Sequence, residues 1–343
     1  MSLAFAYNVT MKIRIFSDLH VDVNQGFPFS IREKDGGKDT FTLVAGDVSG
    51  NVKLTAKWMK ENIHNGMFVV GNHDPSYNDL GWTIKKQKQF LADKFPLESS
   101  VTFLDESVGV VSKEIPGTNV LVVGTTLYTD YEYASDLMER SLKDGNEKRR
   151  ARGESARDIV EVNMMIGARG LNDFRLGHVE DEFDDARLKQ RLVRPDDYRR
   201  WFEKSFNRIK DEVESHPDKD IVVMTHHCPT PRCISQKYIH DEMNASYISD
   251  LEWFIFAHPN IKAWCCGHVH ARFIEQIGEN KQWIICNPRG YEKAMETGDW
   301  NPNTFLDTDT WEIETTPFKN KKLMDARRKF ANRFFEYAAA FIV

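Results

Sequence analysis

Five short stretches of this 343-residue chain carry side chains of the kind that bind metals, and each follows an apolar, β-rich run. IRIFS leads into Asp18-Leu19-His20, TFTLVA into Gly46-Asp47, MFVV into Gly71-Asn72-His73-Asp74, IVVMT into His226-His227, and IKAWCC into Gly267-His268-Val269-His270. Six of the eleven histidines occupy these positions, while His64, His178, His216, His240 and His258 are scattered and read as structural or solvated residues. Taken singly, an Asp-x-His or a Gly-Asp is common, and a lone histidine at a strand end is more often a hydrogen-bonded structural residue than a ligand. Five such clusters at successive strand ends are a different matter, because the carboxyl ends of strands in α/β sheets converge on one crevice.

The residue types restrict the chemistry. Imidazoles with carboxylates and one amide oxygen, and no thiolate among them, suit Mn, Fe, Zn or Ni rather than Ca or a structural cysteine-zinc site. Asp18, His20, Asp47, Asn72, His226, His268 and His270 make seven candidate ligands, more than one ion needs. Two transition-metal ions about 3.5 to 4 Å apart, bridged by one carboxylate, would use them all and would clamp the attacking and leaving oxygens of a displacement at phosphorus.

The elements that must position these residues follow from the hydrophobic pattern. Strand-like runs are expected at 12–17, 40–45, 67–70, 119–123, 220–225, 261–266 and 282–286. Helical spacing appears at 53–63, 80–94 and 245–257, so strands alternate with helices in an α/β arrangement. Between 131 and 216 charged residues dominate and the apolar positions fit helices, which reads as a helical insertion or cap within a single domain spanning 1–343. Near the end, 272–277 and 304–313 return to strand-like segments, and 321–340 reads as a closing helix.

Bulk properties exclude several classes. With 41% hydrophobic and 12% aromatic residues the chain can bury a full core without staples. No apolar run approaches the roughly 20 residues needed to span a bilayer, and MSLAFAYNVT lacks the charged start and apolar stretch of a secretory signal. The five cysteines, odd in number and set in or beside apolar runs, read as reduced core thiols, which implies a cytoplasmic protein. Cys228 and Cys233 lack a second pair at zinc-site spacing and are assigned to that core. A formal charge of −6 and an isoelectric point near 6.0 argue against strong non-specific attraction to nucleic acid. The basic runs at 143–152 and 319–333 are expected to be solvated helix faces.

The series DLH, GD, GNHD, THH and GHVH, in this order between Asp18 and His270, resembles the calcineurin-like metallophosphoesterase superfamily. TTLYTD at 125–130, the Asn172-Asp173-Phe174 triplet and NPRGY at 287–291 are similar to a branch of small bacterial and phage members. The resemblance implies a four-layer αββα sandwich of two mixed sheets. It also implies that Asp18, His20 and His270 hold one metal, that Asn72, His226 and His268 hold the other, and that Asp47 bridges them. His73 is then the phosphate-facing histidine, and His227 a residue behind the ligands or facing substrate. Arg289 reads either as part of a Pro-Gly turn or as a phosphate contact. One departure matters: protein phosphatases of the superfamily carry GDxxDRG, whereas here Gly46-Asp47-Val48-Ser49-Gly50-Asn51 lacks the later Asp. A protein phosphatase is therefore not expected, and what orients His73 is left open.

The expected activity is hydrolysis of a phosphomonoester or phosphodiester by a metal-bridging hydroxide, with manganese the ion of first choice in vitro and a small phosphoester or nucleotide as substrate. His73 would protonate the leaving alkoxide. A nuclease of the same superfamily would need a basic track toward the crevice. A scaffold that keeps the fold without catalysis would be expected to have lost ligands, and none is missing. The residues imply no particular oligomeric state.

Overall fold

The computed structural model describes residues 11–24, 40–76, 81–180, 190–294, 296 and 299–317. The closing helix expected at 321–340 and the basic run at 319–333 lie outside the described residues. Alternating apolar residues build two six-stranded sheets. In the first, β1 (Lys12–Phe16), β2 (Thr40–Ala45), β3 (Gly66–Val69) and β4 (Val101–Phe103) are parallel, in that order. In the second, β6 (Val120–Thr125), β9 (Asp220–Thr225), β10 (Ile261–Cys266) and β12 (Gln282–Cys286) are parallel neighbours. Antiparallel strands extend both: β5 (Ser112–Glu114) and β11 (Phe273–Ile277) on the second sheet, β13 (Thr304–Asp307) and β14 (Ile313–Thr315) on the first.

The period of two along each strand sends side chains to two different cores. Ile13, Ile15, Leu43, Met67 and Val69 meet Val120, Val122, Val222, Met224, Ala263 and Cys265 between the sheets. The outer face of the first sheet packs Phe16, Val44 and Phe68 on Trp58 and Met59 of α1 (Val52–Asn62) and Leu91 of α3 (Ile84–Lys94); the short α2 (His73–Ser76) lies between those helices in the chain. The outer face of the second sheet packs Val123, Val223 and Trp264 on Phe202, Ile209 and Val213 of α7 (Pro195–Ser215) and Phe254 of α8 (Glu252–Ala257). Helix, sheet, sheet, helix is the four-layer sandwich of two mixed sheets that the motifs imply. None of the described helices is long and apolar enough to cross a membrane.

The stretch 131–216 contains α4 (Asp136–Ala151), α5 (Ile159–Gly170), α6 (Asp173–Leu176) and α7, and also a small antiparallel hairpin that the helical spacing did not predict, β7 (His178–Glu180) with β8 (Gln190–Leu192). Helix 245–257 is likewise shorter than expected: Ile248 bridges to Cys228 as extended chain, and only Glu252–Ala257 is α-helical. Tertiary pairing overrides helix propensity at both places.

Asp197 in the first turn of α7 ties this region down. Its carboxylate takes both guanidinium nitrogens of Arg191, at 2.6 and 2.7 Å, pairs with Arg200, and accepts the Arg194 backbone N–H at 2.8 Å. Burial opposes its charge, but Arg191 and the Arg194 amide hold its pKa below the usual carboxylate value. Asp197→Ala removes the carboxylate that caps the start of α7 and binds Arg191 and Arg200, so unfolding in urea at pH 7 should show a loss of about 2 kcal/mol. Because the folded pKa is depressed, the wild-type advantage should be complete above about pH 5 and fade as the pH falls through the carboxylate range.

Candidate metal centre

The five motifs leave the carboxyl ends of β1, β2, β3, β9 and β10, and the central strands of both sheets bring those ends together. Asp18, His20, Asp47, Asn72, His226 and His268 are buried, and His270 is nearly so. Five of these residues hold left-handed backbone: Asp18 (φ 52°), His20 (42°), Asp47 (54°), His268 (69°) and His270 (50°). Such conformations cost non-glycine residues on the order of 1 to 3 kcal/mol each and persist only where the surroundings over-determine them. Here the loops brace one another, with Asp18 N–H donating to Gly46 O at 3.0 Å, His20 N–H to Asp47 O at 3.1 Å, and Gly267 N–H to His226 O at 2.9 Å. Gly71 is required by close approach, since a β-carbon there would stand 2.0 Å from Asp47 Oδ1.

The donor atoms fall into two overlapping groups. Asp18 Oδ1 is 3.3 Å from His270 Nε2, which is 3.0 Å from His20 Nε2. Asp47 Oδ2 is 3.3 Å from His226 Nε2, which is 3.1 Å from Asn72 Oδ1. The ligand atoms of Asp47, His226 and His268 lie within 4.8 Å of one another. Asp47 Oδ2 also stands 4.0 Å from His20 Nε2, between the two groups. Two imidazole nitrogens on one ion at about 2.0 to 2.1 Å would be separated by roughly 2.9 to 3.4 Å, so the His20–His270 spacing suits a shared cation. Asp47 Oδ2 and His268 Nε2 are buried and have no hydrogen-bond partner among the described residues. Atoms of this kind are costly unless something else binds them.

Neighbouring groups aim the ligands. His226 Nδ1 is 2.8 Å from Ala45 O and His270 Nδ1 is 2.7 Å from Glu296 Oε2, contacts that place the proton on Nδ1 and leave Nε2 for the centre. The Asn72 amide donates to Asp173 at 3.0 and 3.1 Å, which turns its oxygen inward. The buried carboxylates favour positive charge beside them. Burial alone disfavours a charged His226, yet Asp47 raises its pKa to about 9; burial likewise opposes the His270 charge, but Asp18 and Glu296 raise it to about 10. The residues present therefore fit metal cations in place of those protons.

His73, half-buried at the start of α2, donates its backbone N–H to Asp47 Oδ1 at 2.9 Å and sets Nε2 3.3 Å from the Tyr291 hydroxyl. Adjacent Asp74 does not orient its ring. The Asp74 carboxylate instead accepts the backbone N–H groups of Asp47, Gly71 and Ser49 and the Thr55 hydroxyl, at 2.7 to 3.2 Å. A crevice of about 610 Å³ opens over the centre, with Asn72, His73, His268 and His270 at its floor and Leu171, Asp173, Tyr247, Tyr291 and Glu296 among its walls.

Two residues with alternative readings lie away from the crevice. His227 is buried behind His268, their rings 4.3 Å apart, and lines no part of the crevice. Burial and the neighbouring His226 lower its pKa to about 3, so it is neutral. Arg289 is also buried; its guanidinium lies over the Trp300 ring at 5.7 Å and reaches Leu19 O at 3.4 Å, bracing the Asp18–His20 loop rather than entering the crevice. The contacts that the motifs did not reveal are Glu296, which follows no strand-end pattern, and Asp173, whose triplet stood out but carried no role.

A family model described as calcineurin-like phosphoesterase matches residues 11–272. Among solved structures, phosphopantetheinyl hydrolase from Mycobacterium tuberculosis superposes with a TM-score of 0.58 at 14% identity, covering 83% of this chain and 91% of that one. A Staphylococcus aureus protein described as a candidate 5'-nucleotidase, in complex with alpha-ketoglutarate, gives a TM-score of 0.43 at 13% identity over 94% of this chain and 58% of that one. No curated protein matches the sequence.

Proposed function

Since this chain belongs to the calcineurin-like phosphoesterase family, we propose that it hydrolyses a small phosphoester at a dinuclear centre. Asp18, His20 and His270 would hold one ion, Asn72, His226 and His268 the other, and Asp47 both. The observation that carries this reading is the Asp47 carboxylate, whose Oδ2 lies between the two imidazole groups with no hydrogen-bond partner among the described residues. When bound, two such ions supply an activated water at neutral pH and neutralise charge at phosphorus.

The side chains do the rest. Glu296 and the Ala45 carbonyl fix the tautomers of His270 and His226, and Asp173 fixes the Asn72 amide. His73, at the crevice floor, hands a proton from its imidazole to the departing alkoxide and receives a hydrogen bond from, or gives one to, Tyr291. Substrate contact belongs to Tyr291, Tyr247 and Asp173, which wall the crevice.

A small substrate is favoured over nucleic acid by the lining. It includes Asp22, Asp173, Asp241 and Glu296 and, among the described residues, no lysine or arginine. The basic run at 143–152 lies on α4 at another surface, where Lys143 and Arg150 share a cleft with Asp130, Glu132, Glu139, Glu147 and Asp250. A phosphate backbone needs a basic track, and the described residues of the lining offer none. The test is a turnover screen with Mn(II) on a monoester, a diester, cyclic nucleotides and single-stranded DNA. Turnover of the small esters is expected; cleavage of DNA alone would replace this reading with the nuclease.

Glu296→Gln keeps the size of the side chain but removes the charge that holds the His270 tautomer. Manganese affinity, measured by calorimetry, should fall about 10- to 100-fold, while the melting temperature of the metal-free protein changes little.

A further inference from the structure

The five cysteines do not share one environment. Cys265 faces the core between the sheets, whereas Cys228, Cys233, Cys266 and Cys286 all enter the core outside the second sheet. All four are buried. Cys266 and Cys286 are register partners on the adjacent parallel strands β10 and β12, which places them side by side on one face. Cys228 and Cys233 come from the turn after β9, separated by Pro-Thr-Pro-Arg, the four-residue interval of a zinc-binding pair. Thr230 caps the short turn at Pro231–Cys233 and so fixes the second thiol.

The sulfur atoms face one another. Those of Cys228, Cys233 and Cys266 lie within 4.8 Å of one another. Cys233 Sγ and Cys266 Sγ are 4.0 Å apart, and tetrahedral zinc with bonds of about 2.3 Å separates its sulfurs by roughly 3.8 Å. The thiols of Cys228 and Cys286 both point at the Gly267 carbonyl, at 3.0 and 3.7 Å. The pairing that the sequence lacked is thus supplied by the sheet.

We propose that Cys228, Cys233, Cys266 and Cys286 form a separate thiolate site for one zinc-class ion, behind the histidine cluster. Three sulfurs at ligand spacing, with Cys286 beside Cys266 on the neighbouring strand, make an all-sulfur donor set that suits zinc rather than a hard ion. Binding replaces the thiol protons, which leave to solvent. The ion would pin the turns that follow β9 and β10, because Cys228 lies two residues after His226 and Cys266 two residues before His268.

Cobalt(II) distinguishes the two sites, since only thiolate ligation gives sulfur-to-cobalt charge-transfer absorption in the near ultraviolet. The full chain, reduced and stripped of metal, is titrated with Co(II). The charge-transfer band should saturate at one equivalent, and Cys228→Ala/Cys233→Ala should lose it while still taking up cobalt at the histidine cluster. His226→Ala/His268→Ala should keep the band. If the folded wild type binds cobalt without the band, if the band survives in the cysteine variant, or if the mass of chain purified under reducing conditions shows a Cys233–Cys266 disulfide, the site does not exist. Should the cysteine variant fail to fold, the wild-type titration and mass still decide.

Discussion

Asp47→Asn is expected to lower turnover by at least about 1000-fold and to reduce the bound metal from two ions per chain to one or none. The substitution is nearly isosteric, and its amide oxygen can still accept the His73 backbone N–H that Asp47 Oδ1 accepts at 2.9 Å, so the loop should keep its shape. What is lost is one negative oxygen between two imidazole groups, at 3.3 Å from His226 and 4.0 Å from His20. Lewis-acid stabilisation at phosphorus is worth several kcal/mol, and each 1.36 kcal/mol is about tenfold in rate. Metal content by elemental analysis and kcat on p-nitrophenyl phosphate measure the two effects together. Two bound ions with unchanged kcat would show that Asp47 does not bridge.

The second large effect is expected at His73. His73→Ala should reduce kcat by about 100- to 10,000-fold for an alkyl phosphate, whose leaving alkoxide needs a proton. For p-nitrophenyl phosphate, which departs without one, the loss should be much smaller. Equal losses on both substrates would remove the acid role and leave only charge stabilisation. Tyr291→Phe is the matched comparison. It keeps the ring stacked 4.4 Å from His20 and deletes only the hydroxyl that meets His73 Nε2, so it should cost about 1 kcal/mol, roughly five- to tenfold.

The candidate ligands were legible because each ends a strand, and a strand is legible from a period of two. The residues that aim those ligands follow no such rule. Glu296 lies beyond β12 and Asp173 opens α6, and they reach His270 and Asn72 from 26 and 101 positions away, so local spacing does not reveal what either of them touches. Asp74 shows how little adjacency in sequence says about contact. It follows His73 directly, yet its carboxylate turns back to three backbone amides of the loops behind.

His226 and His227 are chemically identical in sequence, and consecutive residues at a strand end point to opposite sides. Only the sheet's place between its neighbours determines that His226 faces Asp47 while His227 faces Tyr128 and Tyr198. Arg289 could be read as part of a turn or as a phosphate contact, and the Trp300 ring and the Leu19 carbonyl hold it inside. The cysteines were read as ordinary core residues for want of a second pair, and the second pair is formed by two strands that are neighbours in the sheet and twenty residues apart in the chain.

Sequence alone determined which kinds of donor this protein offers, that they lie at strand ends, and hence that they gather at one edge of an α/β sandwich, because those facts depend on residue type and local periodicity. Tertiary structure decided which nitrogen of each imidazole faces the centre, which carboxylates stand behind the ligands, and which thiols meet, because each of these depends on contacts between segments that only strand order and sheet packing bring within reach.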